Sequence, residues 1–411
     1  MSGWTPHPRA WTGGPLAEAA WGLLGAAAVL AFVAIWVVAP APASALLPFA
    51  VAAPELSPAL SLVALAAAAA AWALRRRRPA RSAAVLALCA AALFAIPMAQ
   101  LPSTVRRFDA AMAAAGLVAS DGAPAGDFGR TAPFRLRDLV LGVARGESAV
   151  RRDVAIAGAG SLPLALDVYA RDGVRNAPLL VQIYGGAWQR GQPGDDEAFA
   201  RYFASRGFVV AAIDYRHAPA ARWPAQIDDV RAALAWLRTH AGELGADPAR
   251  MVLVGRSAGA QLALVAAYQA GVPAVAGVVS LYGPVFLADG WREPPRPDPQ
   301  DVRAILETYL GGTPDQMPDR YAAASPVTYV SSKVPPTLLV YGRRDHIVEV
   351  RFARQLEARL RQVGAPVVLL EIPWAEHAFD ILPDGLSAQV ALFYTERFLA
   401  GLPGLHEQTR P

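Results

Sequence analysis

Three uncharged apolar runs within the first 105 residues set the tightest limit on what this chain can fold into. Trp21 to Val38 is 18 residues without a charge, Leu56 to Leu74 is a second run rich in alanine, and Ser82 to Val105 is a third whose apolar part ends near Leu101. Each approaches the ~20 residues that carry a helix across a bilayer. A helix on a soluble domain keeps a polar face, and three such runs in succession leave none. We therefore expect a membrane region over 1–105, with transmembrane helices at about 18–39, 56–74 and 82–101.

The second and third runs are joined by RRRRPAR (75–81), which holds five arginines. Arginine-rich loops stay on the cytoplasmic side, so the third helix leads outward. The expectation is a multi-pass plasma-membrane protein with everything beyond residue 105 on the extracytoplasmic side. The first run has two readings. It is followed by APAPASA (39–45), which resembles a signal-peptidase site, yet it is longer than the usual ~7–15-residue signal core, and Arg9 is the only arginine or lysine before it. We read it as an uncleaved helix; a cleaved signal segment would leave the later topology unchanged.

Residues 106–145 read as a linker with an amphipathic segment, a short helix in RRFDAAMAAAGLV (106–118) and then the turn-rich SDGAPAGDFG (120–129). From about 146 the pattern changes. DVAIAG and LPLALDVYA alternate as a leading hairpin would, and APLLVQIY (177–184) and GFVVAAIDY (207–215) are continuous apolar runs, as in strands buried on both faces. RMVLVG, AVAGVVSLYG, PPTLLVYG and APVVLLEIP read as further strands. Between them lie helical stretches, among them DDEAFARYFASRG, VEVRFARQLEARLRQVG and the face made by Ile227, Val230, Leu234 and Leu237. Such alternation predicts an α/β fold with a mostly parallel sheet and helices on both faces, over 146–402, with a cap-like insertion at about 284–330 and a polar tail at 403–411.

Within this pattern, LVGRSAGAQLAL (253–264) contains Gly255-Arg256-Ser257-Ala258-Gly259, a G-x-S-x-G match where a strand ends and a helix begins. That is the setting of a nucleophile elbow, and it makes Ser257 the candidate nucleophile. A serine hydroxyl needs a base in hydrogen-bond reach. His377, in PWAEHAFD after the last strand, is the strongest candidate base, ahead of His346 and His406. Asp345, just past the strand LLVYG, is the expected acid, with Glu349, Glu376 and Asp380 as weaker alternatives. IYGGAWQRG follows a strand end and supplies backbone N–H groups, so Gly186, Ala187 and Ala258 are the expected oxyanion donors. Trp188, Tyr282, Phe286, Trp374 and Phe379 are candidate pocket walls. Asp228 and Asp229 open an amphipathic helix and read as structural.

Taken together, Tyr184 to Trp188, IDYRHAPAARWPAQIDDVRAALAWL (213–237), the Ser257 motif, Asp345 and His377 resemble the α/β-hydrolase superfamily over about 150–400. The resemblance is nearest to the branch of hormone-sensitive-lipase-like carboxylesterases and feruloyl/acetyl esterases (BD-FAE), with kynurenine formamidases as relatives. It implies a serine esterase or lipase acting on a small-molecule or lipid ester through Ser257, His377 and Asp345. An acyltransferase or a formamidase-like amidase is the alternative, and a non-catalytic membrane scaffold a further one. Two positions depart from the family: Tyr184 stands where histidine is usual, and Arg256 where Asp or Glu precedes the nucleophile. Tyr184 is expected to brace the glycine loop. Arg256 reads as a solvated side chain, or else as a charge favouring an acidic substrate or partner.

Composition removes other chemistries. Cys89 is the only cysteine, and the six histidines show no metal-ligand spacing, so no metal and no cofactor are expected. Lys333 is the only lysine, the net charge is +4, and no nucleic-acid partner is expected.

Overall fold

The computed structural model describes residues 14–117, 130–156, 164–269 and 274–405. The turn-rich stretch 120–129 and the end of the tail, with His406, lie outside the described residues.

Three long helices come first: α1 (Pro15–Ile35), α2 (Leu47–Ala73) and α3 (Arg78–Ala114). All three are long and apolar enough to cross a membrane. They pack through alanines, with Ala27, Ala71, Ala84 and Ala87 buried between them. At ~1.5 Å per residue, the 21 residues of α1 reach about 31 Å, the 27 of α2 about 40 Å and the 37 of α3 about 55 Å. A hydrocarbon core is about 30 Å thick. The second and third helices therefore outrun the apolar segments seen in the sequence. Their surplus lies at one end, where it docks on the rest of the protein.

That remainder is built on α4 (Leu136–Leu141), β1 (Ala149–Ile156), β2 (Leu164–Ala170), β3 (Ala177–Ile183), α5 (Glu197–Ala204), β4 (Val209–Ile213), α6 (Ala225–His240), β5 (Ala246–Arg256), α7 (Ala258–Tyr268) and β6 (Gly277–Leu281). It continues through α8 (Leu287–Arg292), α9 (Val302–Leu310), α10 (Pro318–Ala324), β7 (Thr337–Gly342), α11 (Val350–Gln362), β8 (Val367–Ile372) and α12 (Leu386–Gly401). The eight strands form one sheet in the order β1-β2-β4-β3-β5-β6-β7-β8. The pairs β1–β2 and β2–β4 are antiparallel and the others parallel. Leu179, Leu180, Val181 and Ile183 on β3 are all fully buried. Each such side chain contributes roughly 1.5–3 kcal/mol by leaving water, which explains the unbroken apolar runs in the sequence. The expected α/β fold and its leading hairpin are both present. The stretch between β6 and β7 carries α8, α9 and α10.

The two parts are joined by more than one chain crossing. Phe108 and Met112, on the surplus end of α3, belong to the same buried core as Phe393 and Tyr394 of α12. The Tyr394 hydroxyl donates to Asp109 Oδ1 (2.8 Å) and lies 3.1 Å from the Val105 carbonyl oxygen. On α2, the buried Glu55 carboxylate accepts from the backbone N–H of Ser387 (2.7 Å) and Ala388 (3.4 Å). These are orphan donors of the first turn of α12, so a residue of the helical bundle caps a helix of the α/β domain.

Candidate active site

The turn from β5 into α7 puts Ser257 at φ 51°, ψ −118°. A side chain rarely adopts that backbone, and it holds the hydroxyl clear of the sheet. The flanking glycines are there because nothing larger fits. A Cβ on Gly255 would lie 2.4 Å from the Gly259 carbonyl oxygen, and one on Gly259 would lie 2.2 Å from the carbonyl oxygens of Ile183 and Tyr184. Among the described residues, Ser257, Ala187, Trp188, Tyr282 and Ala378 are non-glycine residues with positive φ, and all of them line one cavity. Strain of this kind collects where a site is pre-arranged.

The three polar residues singled out in the sequence meet at this cavity, Ser257 and His377 in its floor and Asp345 buried behind His377. Ser257 Oγ lies 2.9 Å from His377 Nε2, and His377 Nδ1 lies 2.8 Å from Asp345 Oδ2. The other Asp345 oxygen accepts from the backbone N–H of Ile347 (2.8 Å) and Val348 (2.7 Å). An ionised carboxylate only accepts, so Nδ1 carries the proton and Nε2 is free to take one from serine. Burial would lower the His377 pKa, but the charge and hydrogen bond of Asp345, with Glu376 and Asp380 nearby, outweigh it and hold it above the usual histidine value.

Each alternative acid has another partner. Glu376 accepts from the backbone N–H and the Nδ1 of His346, both at 2.7 Å, tying the Asp345 loop to the His377 loop. Glu349 pairs with Arg351 at 2.8 Å. Asp380 accepts from the Tyr282 hydroxyl and from Arg256 Nε at 2.6 Å. The paired carboxylates on α6 also divide. Asp229 is fully buried and holds Arg216 at 2.8 Å, while Asp228 meets Arg231 on the surface at 3.1 Å.

Arg256 is not the solvated side chain that the sequence suggests. It is 6% exposed, its Nε lies 2.6 Å from Asp380 and 3.3 Å from Asp196, and its guanidinium stacks 4.6 Å from the Phe199 ring centre. Burial lowers its pKa, yet the two carboxylates leave it raised. Burial also raises Asp196 to about 6, against the pull of Arg256. The charge beside Ser257 is thus neutralised inside the protein. Through Asp380 it also fixes Tyr282, whose ring packs edge-on against His377 at 4.7 Å.

Tyr184 braces the glycine loop from behind. Its hydroxyl donates to Asp214 Oδ1 (2.5 Å) and lies 2.9 Å from His217 Nε2, and its ring stacks on Tyr215 at 4.4 Å. A Cβ on Gly191 would lie 2.4 Å from that ring. Gly186 and Ala187 line the cavity beside Ser257, and Ala258 opens α7 directly after it.

The cavity has a volume of about 970 Å³. Trp188, Tyr282 and Phe286 line it, whereas Trp374 and Phe379 do not. Trp374 lies behind the wall and donates to Ser387 Oγ at 2.9 Å; Phe379 is fully buried against Tyr282. Sequence reasoning missed Gln261, which accepts from Trp188 Nε1 (2.9 Å) and the Tyr309 hydroxyl (3.2 Å) and so sets the wall's position. It also missed Leu47, Pro48, Val51 and Ala52 of α2, which line the same cavity.

The family model described as BD-FAE matches residues 166–360. An acetyl-hydrolase of Streptomyces hygroscopicus is 31% identical over 236 residues, 54% of this chain and 75% of that protein. The chain belongs to the same family as that acetyl-hydrolase, on the α/β-hydrolase fold. Within that group it resembles the probable carboxylic ester hydrolase LipM of Mycobacterium tuberculosis, at 35% identity over 251 residues. The match spans 57% of this chain and 57% of LipM, so it covers little more than half of that relative. Among solved α/β-hydrolases, a bacterial heroin esterase is 26% identical with a TM-score of 0.56, over 64% of this chain and 87% of that one.

Proposed function

We propose that this protein is a membrane-anchored serine esterase with its hydrolase domain on the extracytoplasmic side. The observation that carries the reading is the hydrogen-bonded series Ser257–His377–Asp345 on the floor of a deep, largely apolar cavity. In the first half-reaction, Ser257 Oγ attacks the ester carbonyl carbon as His377 Nε2 takes its proton. The oxyanion is held by the backbone N–H groups of Gly186, Ala187 and Ala258. The tetrahedral species collapses, the C–O bond to the alcohol breaks, and His377 returns its proton to the departing alkoxide. Water then attacks the acyl-serine, again giving a proton to His377, and the acid leaves as Ser257 recovers its hydrogen. Asp345 stays ionised and stabilises the imidazolium.

The location rests on two features that agree. Arg75 to Arg77 lie between α2 and α3, and Arg78 and Arg81 in the first turn of α3, all at one end of the bundle. The hydrolase domain packs on the opposite end, against Glu55, Phe108 and Met112. Arginines held on the cytoplasmic side support a domain outside.

A fluorophosphonate probe on the full chain should label Ser257 and abolish hydrolysis of 4-nitrophenyl butyrate. Retention of full turnover in Ser257→Ala would sink the reading.

A further inference from the structure

The cavity does not lie wholly within the hydrolase domain. Its floor holds Ser257 and His377, its sides include Phe286 and Phe352, and its roof includes Leu47, Pro48, Val51 and Ala52 from the first turns of α2. Ser44, just before α2, donates to the Pro299 carbonyl in the insertion, so bundle and insertion close the roof together. Of the charged side chains at the cavity, Asp196 and Asp380 pair with Arg256, and Glu293 and Glu349 with Arg351, while Arg190 and Asp195 lie in its wall beside the glycine loop. The lining that α2 itself contributes is apolar.

The length of α2 fixes the height of this roof. Of its about 40 Å, some 10 Å exceeds a ~30 Å hydrocarbon core, which is roughly seven residues. Counted from the domain-facing end, those residues are Leu47 to Ala53, the segment that lines the cavity. A collar of exposed apolar side chains surrounds the junction. Leu136, Val140 and Leu141 on α4 are 40%, 66% and 70% exposed, and Ile381, which lines the cavity, is 72% exposed. Both α4 and the turn Phe379–Ile381 pack against α2. Such a patch continuous with lipid-facing helices is a membrane-contact surface.

We propose that α2 forms part of the substrate site and that the substrate is a lipid-class carboxylic ester, drawn from the outer leaflet with its chain lying along Leu47 to Ala52. This rests on the esterase reading above and adds to it the substrate class and the route of entry. A volume of about 970 Å³ is at the top of the ~300–1,000 Å³ range of small-molecule sites and suits a long chain.

The test uses the full chain in phosphatidylcholine vesicles and compares 4-nitrophenyl palmitate with 4-nitrophenyl acetate. Val51→Trp fills the roof and should lower the palmitate-to-acetate ratio of kcat/KM at least tenfold. Leu62→Trp, on the outward side of the same helix, should leave that ratio as it is. An unchanged ratio in Val51→Trp, with Ser257 still labelled by fluorophosphonate, overturns the proposal. A second measurement does not depend on turnover. In Ser257→Ala, a diazirine-bearing palmitoyl ester in the vesicle should crosslink to the peptide covering 47–52. Crosslinks confined to outward residues such as Leu62, Leu65 and Trp72 overturn it. Loss of hydrolysis of both esters in the unmodified protein refutes the esterase reading, and the crosslink then still decides whether a lipid chain occupies the roof.

Discussion

In the helical bundle the buried positions are alanines such as Ala27, Ala64, Ala84 and Ala87, while Trp21, Phe32, Leu62 and Trp72 face outward. In the hydrolase domain the order is reversed. Leu180, Val181, Phe203 and Trp374 are inside, and paired ions such as Arg354–Glu371 stand on the surface. Each pattern fits a different solvent. In water, large apolar side chains gain by burial, so they form the core. In lipid that gain disappears, and helices associate through small residues that let backbones come close. One chain obeys both rules, with the change falling near Glu55 on α2 and near Leu101 on α3.

The strongest way to break this contrast is at the hydrolase floor. His377→Ala should cut kcat on a soluble ester roughly ten-thousandfold or more, without loosening the bundle. Ester turnover alongside helical circular dichroism checks both halves; a loss of helix content would mean that the domains do not fold as separately as their cores suggest. Next comes the charge buried beside Ser257. Arg256→Met leaves Asp196 and Asp380 facing each other without their cation, and should destabilise the domain by about 3–5 kcal/mol in a denaturant titration.

The bundle should respond to opposite substitutions. Ala87→Leu overpacks a helix contact and should cost about 1–3 kcal/mol when the reconstituted protein is unfolded with detergent. Leu88→Ala, one position away and 52% exposed, should cost less than ~0.5 kcal/mol. The reverse ranking would mean that the bundle is not built for lipid.

The smallest effect concerns pH. His377 must be neutral to accept the serine proton, so kcat/KM should rise with pH through a midpoint above 6.5, because its pKa is raised. Asp345→Asn removes the charge that raises it and should move the midpoint down. The stability effect has the opposite sense. The pair's full contribution is present below pH 6.5, the unfolded value, and is lost as pH climbs through the folded value.

The parts of this molecule that depend on local pattern were readable in the sequence. The β3, β5 and β7 strands announce themselves as apolar runs, and a serine between close-packed glycines at a strand end announces an elbow. Contacts set by distant chain segments were not readable. Arg256 looks solvated because its partners, Asp196 and Asp380, lie far from it along the chain. The continuation of α3 to Ala114 is hidden because that end is amphipathic and its apolar face, Phe108 and Met112, meets the hydrolase core. Val51 and Ala52 look like any membrane residues, since an apolar side chain carries no mark of whether it faces lipid or a cavity. Trp374 and Phe379 fail for the same reason: an aromatic beside His377 serves core and pocket equally well.

The cap that Glu55 places on α12 sets how such an enzyme would find its substrate. With bundle and domain fastened at α2 and again at Tyr394, the proposed membrane anchor would leave the site no tether on which to swing and would hold it at one depth relative to the bilayer. Its search would then be confined to a plane, where encounters follow the mole fraction of ester among neighbouring lipids and not its concentration in bulk water. Diluting the membrane with inert lipid would slow it; diluting the suspension would not.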